Sequence, residues 1–138
     1  MLRTILNVLM LVISVSAIGL EADYRLWNVT QLDYFSWNKA LNGDNYRWYV
    51  IVFYDEQCKN SDKYERDFAK LAMDSQLWSK GVKFGAVNAR AQRYLTWINK
   101  VTATPDILLF RNGDIDNPIR VPSSLEAYEI PGFIKLYV

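Results

Sequence analysis

Hydrophobic and polar positions alternate along the chain with periods that change from segment to segment. Residues 49–54 form a continuous β-branched and aromatic run, which is typical of a strand buried on both faces between layers of helices. The segment from Ser61 to Ala72 instead gathers its apolar residues on one helical face and its charges on the other. This helical pattern predicts one long helix that continues to Leu77–Trp78 and ends near Lys80–Gly81.

Further elements follow from the same criteria. The predicted segments are a strand at Tyr24–Thr30, a helix at Leu32–Leu41, a strand at Val82–Asn88, a helix at Ala91–Val101, a strand at Asp106–Phe110, a hairpin turn at Arg111–Asp114 and a strand at Asn117–Val121. A last helix begins either at the Ser123–Glu126 capping pattern or at Pro131–Gly132, which would break a helix begun earlier. The order β-α-β-α-β-α-β-β-α predicts an α/β fold with a central mixed sheet flanked by helices.

The amino terminus carries a targeting pattern. One arginine precedes an apolar stretch from Ile5 to Val15, and small residues follow at Ala17 and Gly19. This pattern predicts a signal peptide over residues 1–19 and one domain over 20–138, with a retained signal anchor or an N-terminal core helix as alternatives. The predicted location is the endoplasmic reticulum lumen or the exterior, and Asn28 in Asn28–Val29–Thr30 is then a glycosylation acceptor.

Composition excludes several classes of function. The chain has 138 residues, a formal net charge of +1 and no histidine. We therefore expect no nucleic-acid partner, no metal site, no cofactor and no hydrolase mechanism with a histidine base. No second apolar stretch is long enough to cross a bilayer, so no stable membrane span is expected.

The only cysteine, Cys58, follows the buried strand and precedes the helix that starts at Ser61. Unpaired amide groups and the positive end of a helix dipole favour a thiolate, which is the reactive form of cysteine. Lys59 also favours the thiolate, whereas Asp55 and Glu56 oppose it. Two interpretations stay open: a working monothiol, and an inert relic that is buried or oxidised to another chain.

Two segments resemble the thioredoxin and protein disulfide isomerase family. Val50–Tyr54 leading to Cys58–Lys59–Asn60–Ser61 is similar to the family's strand and Cys-x-x-Cys site, with serine in place of the second cysteine. Val101–Asp114 resembles the family's cis-proline loop, the strand after it and its hairpin turn. The resemblance implies the thioredoxin-like fold over residues 24–138.

The resemblance also implies roles for particular residues. Cys58 takes the position of the attacking cysteine, Ser61 that of the resolving cysteine, and Thr104–Pro105 that of the cis-proline pair that receives an extended substrate. The substrate-binding residues expected around them are Tyr54, Gln57, Lys59, Asn60, Thr104 and Pro105. Among the aromatic side chains, Tyr54 is the one most expected to offer exposed surface for a client.

Departures from the family pattern limit the expected chemistry. Val52 stands where family members usually carry a buried carboxylate, and Gln57 where an aromatic residue is common. Because a serine hydroxyl does not attack a mixed disulfide at neutral pH, the chain is not a two-cysteine oxidoreductase. We expect either a protein that holds client polypeptides in mixed disulfides at Cys58, or a redox-inactive module that binds extended polypeptide.

Overall fold

The computed structural model describes residues 28–57 and 61–138, and it describes side chains of the second helix from residue 66 onward. The elements are β1 (Thr30–Gln31), α1 (Tyr34–Leu41), β2 (Trp48–Tyr54), α2 (Ser61–Ala72), α3 (Ser75–Ser79), β3 (Val82–Asn88), α4 (Arg93–Ile98), β4 (Asp106–Arg111), β5 (Asp114–Arg120), a 3₁₀ turn (Ala127–Glu129) and α5 (Ile130–Lys135). The predicted signal peptide and residues 24–27 of the predicted first strand lie outside this part of the chain.

A five-stranded mixed sheet forms the centre of the molecule, in the order β1-β3-β2-β4-β5. The pairs β1–β3 and β2–β3 are parallel, whereas β2–β4 and β4–β5 are antiparallel. The predicted α/β class with a central mixed sheet is therefore confirmed.

The central strand β2 divides the core into two halves. Val50, Val52 and Tyr54 point into the half that is covered by α2, α3 and α5. Tyr49, Ile51 and Phe53 point into the half that is covered by α1 and α4. Every residue from Tyr49 to Tyr54 is buried, because helices cover both faces of the sheet, and this explains why the run shows no alternation of polarity.

The predicted long helix after Cys58 is wrong in its second half. α2 ends at Ala72, and a separate short helix, α3, begins at Ser75. Asp74 is the N-cap of α3, and its side chain accepts a hydrogen bond from the Gln76 amide at 2.9 Å. A capping aspartate thus starts a new helix where periodicity alone continues the old one.

The last helix starts near the second of the two predicted positions. α5 runs from Ile130 to Lys135 with Pro131 in its first turn, where the missing proline N–H has no helical partner to lose. The capping pattern is formed by Glu126 and Glu129 instead of Ser123 and Glu126. Pro131 and Gly132 therefore lie in the first turn of the last helix, and no single helix runs from Ser123 through them.

The predicted hairpin after β4 is confirmed. β4 and β5 are joined by Asn112 and Gly113, and Gly113 has a φ of +84°. Of the two turn residues only Gly113 has positive φ, a conformation that glycine adopts without a steric penalty. β5 begins at Asp114, earlier than the predicted Asn117, because the strand pairs immediately after the turn.

Candidate functional site

Three segments meet at one edge of the sheet. In the register of β2 with its neighbours, Phe53 lies opposite Asp106 of β4, and Tyr54 lies opposite Asn88 of β3. Thr104 and Pro105 directly precede Asp106. The turn that leaves β2, the loop that leaves β3 and the Thr104–Pro105 segment therefore share this edge.

The turn that leaves β2 is fixed to the loop that leaves β3. An Asp55 carboxylate oxygen (Oδ2) lies 3.3 Å from the Arg90 guanidinium nitrogen Nη2. Glu56 accepts a hydrogen bond from the side-chain amide of Asn88 at 3.2 Å. These contacts join residues more than 30 positions apart, so they could not be predicted from the spacing or periodicity of the sequence.

Asp55 is ionised in this arrangement. The Gln57 backbone amide donates to Asp55 Oδ1 at 2.9 Å, and this bond, followed by the Arg90 contact, lowers the pKa of the Asp55 carboxyl from its ordinary value. The turn therefore carries a negative charge three residues before Cys58 along the chain, as the sequence indicated. Arg90 offsets part of that charge.

Tyr54 is buried, so its ring offers no exposed aromatic surface to a client. Its side chain is 6% exposed, and its hydroxyl accepts a hydrogen bond from Gln31 Nε2 at 2.7 Å. The expectation of an exposed Tyr54 was wrong because Tyr54 is the last residue of a strand that is covered on both faces. Gln31, which the sequence did not single out, is the polar partner within that region.

The Thr104–Pro105 segment enters β4 through a cis peptide bond. Both side chains are half-buried. Arg120 contacts the Asp106 carboxylate and donates from Nη2 to the carbonyl oxygens of Asn99 and Lys100, at 2.9 and 3.4 Å. The guanidinium thus connects the start of β4 to the chain that leaves α4.

Three of the predicted site residues, Cys58, Lys59 and Asn60, lie outside the described residues. Ser61 is the first residue of α2, and the Gln57 side chain is exposed. The described neighbours of Cys58 along the chain are therefore the end of a buried strand and the start of a 12-residue helix. The roles of these residues stay predictions.

Val52 lies within an apolar environment. Its side chain is buried among the residues between the sheet and α2, α3 and α5. The position where the resembling family carries a carboxylate is thus filled by a hydrocarbon side chain. Within the described ranges, no three acidic or cysteine side chains cluster in a way that could hold a metal ion.

Asn28 is exposed and has a φ of +63°. Thr30, the third residue of its acceptor triplet, lies in β1, where it pairs with Gly85 of β3. Glycosylation at Asn28 stays a prediction. None of the helices in residues 28–57 and 61–138 is long and apolar enough to cross a membrane.

Comparison with solved structures identifies the architecture. One neighbour is the J-Trx1 fragment of ERdj5, with a TM-score of 0.64 and 18% sequence identity over 80% of this chain and 51% of that chain. Another is the first thioredoxin domain of mouse protein disulfide-isomerase A4, with a TM-score of 0.66 and 16% identity over 80% of this chain and 75% of that chain. A thioredoxin of Malassezia sympodialis has a TM-score of 0.65 and 20% identity over 79% of this chain and 90% of that chain. The zinc-bound form of human ERp44 has a TM-score of 0.66 and 18% identity over 78% of this chain and 31% of that chain.

These neighbours differ in extent from the present chain, which spans about half of the ERdj5 fragment and about a third of ERp44. No family model matches the sequence. No curated protein matches it either. At identities of 16–20%, the shared property is the path of the backbone, and the sheet order agrees with it: the chain has the thioredoxin-like fold.

Proposed function

We propose that the chain is a secretory-pathway protein of the disulfide isomerase type that captures client polypeptides in mixed disulfides through Cys58. The observation that carries the proposal is the register that brings the end of β2 beside Asp106. Because Cys58 follows the strand by four residues and Pro105 precedes Asp106, a peptide held along Thr104–Pro105 passes close to the segment that leaves β2 and leads to Cys58.

The proposed chemistry is one thiol–disulfide exchange. The Cys58 thiolate attacks one sulfur of a client disulfide, a bond forms between Cys58 and that sulfur, and the client S–S bond breaks. The second client sulfur leaves with the electron pair as a thiolate. Ser61 does not attack the new bond, so release requires another thiol, either the client's own freed thiolate in the reverse reaction or an external thiol such as glutathione, and the adduct persists until one attacks.

The surroundings of the turn support capture more than rapid turnover. Val52 is buried and supplies no proton-transfer group, which slows release of a bound client, whereas the Asp55 carboxylate, three residues before Cys58 along the chain, opposes the thiolate and is partly offset by Arg90. Thr104, Pro105, Gln57, Lys59 and Asn60 are the residues that we assign to client contact. Residence in the endoplasmic reticulum lumen or secretion belongs to the same proposal, as do glycosylation at Asn28 and cleavage of residues 1–19.

The test is adduct formation with a peptide that contains one exposed disulfide, followed by intact-mass spectrometry without reductant. The wild-type chain accumulates the mixed disulfide, and Cys58→Ala forms none. Ser61→Cys accumulates less, since a second thiol resolves the adduct, whereas Ser61→Ala behaves as wild type.

The alternative is a redox-inactive module that binds extended polypeptide on the same edge of the sheet. Its support is the coincident replacement of the second cysteine by Ser61 and of the family's carboxylate by Val52. If the peptide binds the wild-type chain and Cys58→Ala equally well and no adduct appears, the thiol mechanism is wrong and this alternative holds.

A further inference from the structure

Two carboxylates precede the segment that leads to Cys58, and each contacts a donor at the end of β3 or just after it. Asp55 Oδ2 lies 3.3 Å from Arg90 Nη2. Glu56 Oε1 accepts a hydrogen bond from Asn88 Nδ2 at 3.2 Å. Asn88 is the last residue of β3, and Arg90 lies in the loop between β3 and α4. Both acidic side chains are therefore held on the β3 side of the turn.

Backbone hydrogen bonds fix the loop that carries Arg90. The Ala89 amide donates to the Tyr54 carbonyl oxygen at 2.8 Å, which joins the loop to the last residue of β2. The side-chain oxygen of Asn88 accepts from the amides of Arg90 and Ala91 at 3.1 and 3.2 Å. The fold therefore places the Arg90 backbone beside the turn that leaves β2.

The contact between Asp55 and Arg90 affects the local charge more than the stability of the fold. The Asp55 side chain is 25% exposed and the Arg90 side chain is 56% exposed. An ion pair this open to water adds little to stability. The pair is neutral as a unit, so loss of Arg90 would leave one net negative charge at the turn.

The pair lies within electrostatic range of the thiol. Asp55 precedes Cys58 by three residues, so their Cα atoms are at most about 11 Å apart. Salt at about 0.1 M screens a charge over a similar distance, about 10 Å. A charged molecule that reacts with Cys58 therefore meets the charge of the turn, and it meets more of that charge at lower ionic strength.

We propose that Arg90 is a specificity residue of the thiol site: by neutralising Asp55, it lets anionic thiols and acidic clients approach Cys58. This role rests on the proposed capture of clients through Cys58, and it adds the chemical class of molecule that the site admits. Glutathione belongs to that class, because it carries a net negative charge at neutral pH. Without Arg90, the turn repels such molecules, whereas neutral and cationic molecules still react.

The same contacts also tether the turn to β3, and this structural effect must be separated from the effect of charge. Loss of a tether changes the access to Cys58 for every reagent. Loss of a positive charge slows an anionic reagent more than a neutral reagent of similar size. The ratio of the two rates therefore reports the charge and is insensitive to access.

The test is alkylation of Cys58 in the full chain by neutral iodoacetamide and by anionic iodoacetate, in which the thiolate displaces iodide from either reagent. The ratio of the iodoacetate rate to the iodoacetamide rate is measured at low ionic strength. Arg90→Gln should lower this ratio by about twofold or more, and Asp55→Asn should raise it by a similar factor. The double variant Asp55→Asn/Arg90→Gln should return close to the wild-type ratio, because it is as neutral as the pair that it replaces. At about 1 M salt the differences should largely disappear.

Arg93→Gln is the matched control. Arg93 is an exposed arginine of α4 that forms no ion pair among the described side chains, and its loss changes the net charge by the same amount. Arg93→Gln should change the ratio less than Arg90→Gln does. An equal effect of the two variants would mean that net charge, and not the contact with Asp55, governs the site, and this would overturn the proposal.

Two further results would overturn it. An unchanged ratio in Arg90→Gln would show that Arg90 acts only as a tether, and a Cys58 that reacts with neither reagent in the folded chain would leave no thiol site for Arg90 to serve. The proposed function can fail separately. If alkylation follows the expected pattern but no mixed disulfide forms with the disulfide peptide, capture of clients is wrong and the role of Arg90 toward anionic reagents stands.

Discussion

At the scale of single residues, Gln31 and Tyr54 form a polar pair in a largely apolar region. Gln31 Nε2 donates to the Tyr54 hydroxyl, while Gln31 Oε1 is buried and has no hydrogen-bond partner among the described residues. A buried polar group that loses its partner retains the cost of its desolvation. The pair is therefore more sensitive to removal of one member than of both.

Tyr54→Phe should lower the free energy of unfolding by about 1–3 kcal/mol, because it leaves the Gln31 amide without its acceptor. The double variant Gln31→Leu/Tyr54→Phe should recover most of that loss, since both polar groups are gone. Urea denaturation of wild type, the single variant and the double variant measures the difference. Equal destabilisation in the two variants would show that the unpaired Gln31 amide is not the cause of the loss.

Asp33 provides a second effect at the residue scale, and it depends on pH. As N-cap of α1, Asp33 accepts from the Ser36 amide at 2.8 Å and donates its own amide to the Ser36 hydroxyl at 3.0 Å. The bond from the Ser36 amide is the main reason that the pKa of Asp33 lies below its ordinary value of 3.8. A lowered carboxyl pKa in the fold stabilises the protein above 3.8, and this contribution is lost as pH falls through the folded value.

Asp33→Asn should remove that part of the acid sensitivity while it keeps the cap, because asparagine also caps helices and does not titrate. Urea denaturation of both proteins from about pH 7 to about pH 3 tests this. The stability difference between them should shrink or change sign in favour of the variant at the acid end. A constant difference over the whole range would contradict the assigned role of the carboxylate.

At the scale of elements, close packing between β1, β2 and β3 depends on a missing side chain. A Cβ atom added to Gly85 of β3 would lie 2.9 Å from Leu32 Cδ1 and 2.9 Å from Tyr49 Cε1. Tyr49 is buried and therefore has little room to move. Glycine at this position lets β1 and its flanking residues approach β3 closely.

Gly85→Ala should therefore destabilise the protein by about 1–3 kcal/mol through overpacking. Gly132→Ala is the matched control, because nothing lies within 4 Å of a Cβ added there. Alanine inside α5 should stabilise by about 0.5–1 kcal/mol, since glycine is a poor helix former. Thermal unfolding of the two variants should shift in opposite directions, and a common direction would refute the packing argument.

At the scale of the whole molecule, the sequence predicted the sheet and most of the element order because the signals were local. The apolar run at residues 49–54 and the turn at Asn112–Gly113 each determine their structure within a few positions. Asp74 also acts locally, as the N-cap of α3. The helical spacing of apolar residues continues past Asp74, however, and this spacing led to the prediction of one long helix. Helix ends were accordingly the weakest part.

Long-range features could not be predicted in the same way. The Asp55–Arg90 pair and the Gln31–Tyr54 hydrogen bond join positions 35 and 23 residues apart, and only the folded sheet brings them together. Side-chain exposure was equally hidden, because the sequence does not distinguish the buried Trp37 from the exposed Trp97. The roles proposed for the residues around Cys58 rest on the resemblance to the family and on the register of β2 with β4.

The exposure of the tryptophans separates them as optical reporters. Trp37 is 6% exposed and contacts Phe53 and Phe110 in the core, whereas Trp97 is 75% exposed on α4. The emission of Trp37 should shift to longer wavelength when the core opens, while that of Trp97 already lies at long wavelength and should change little. A Trp97→Phe variant keeps four of the five tryptophans and removes this constant long-wavelength background, so its emission should follow unfolding with a larger shift than that of the wild type.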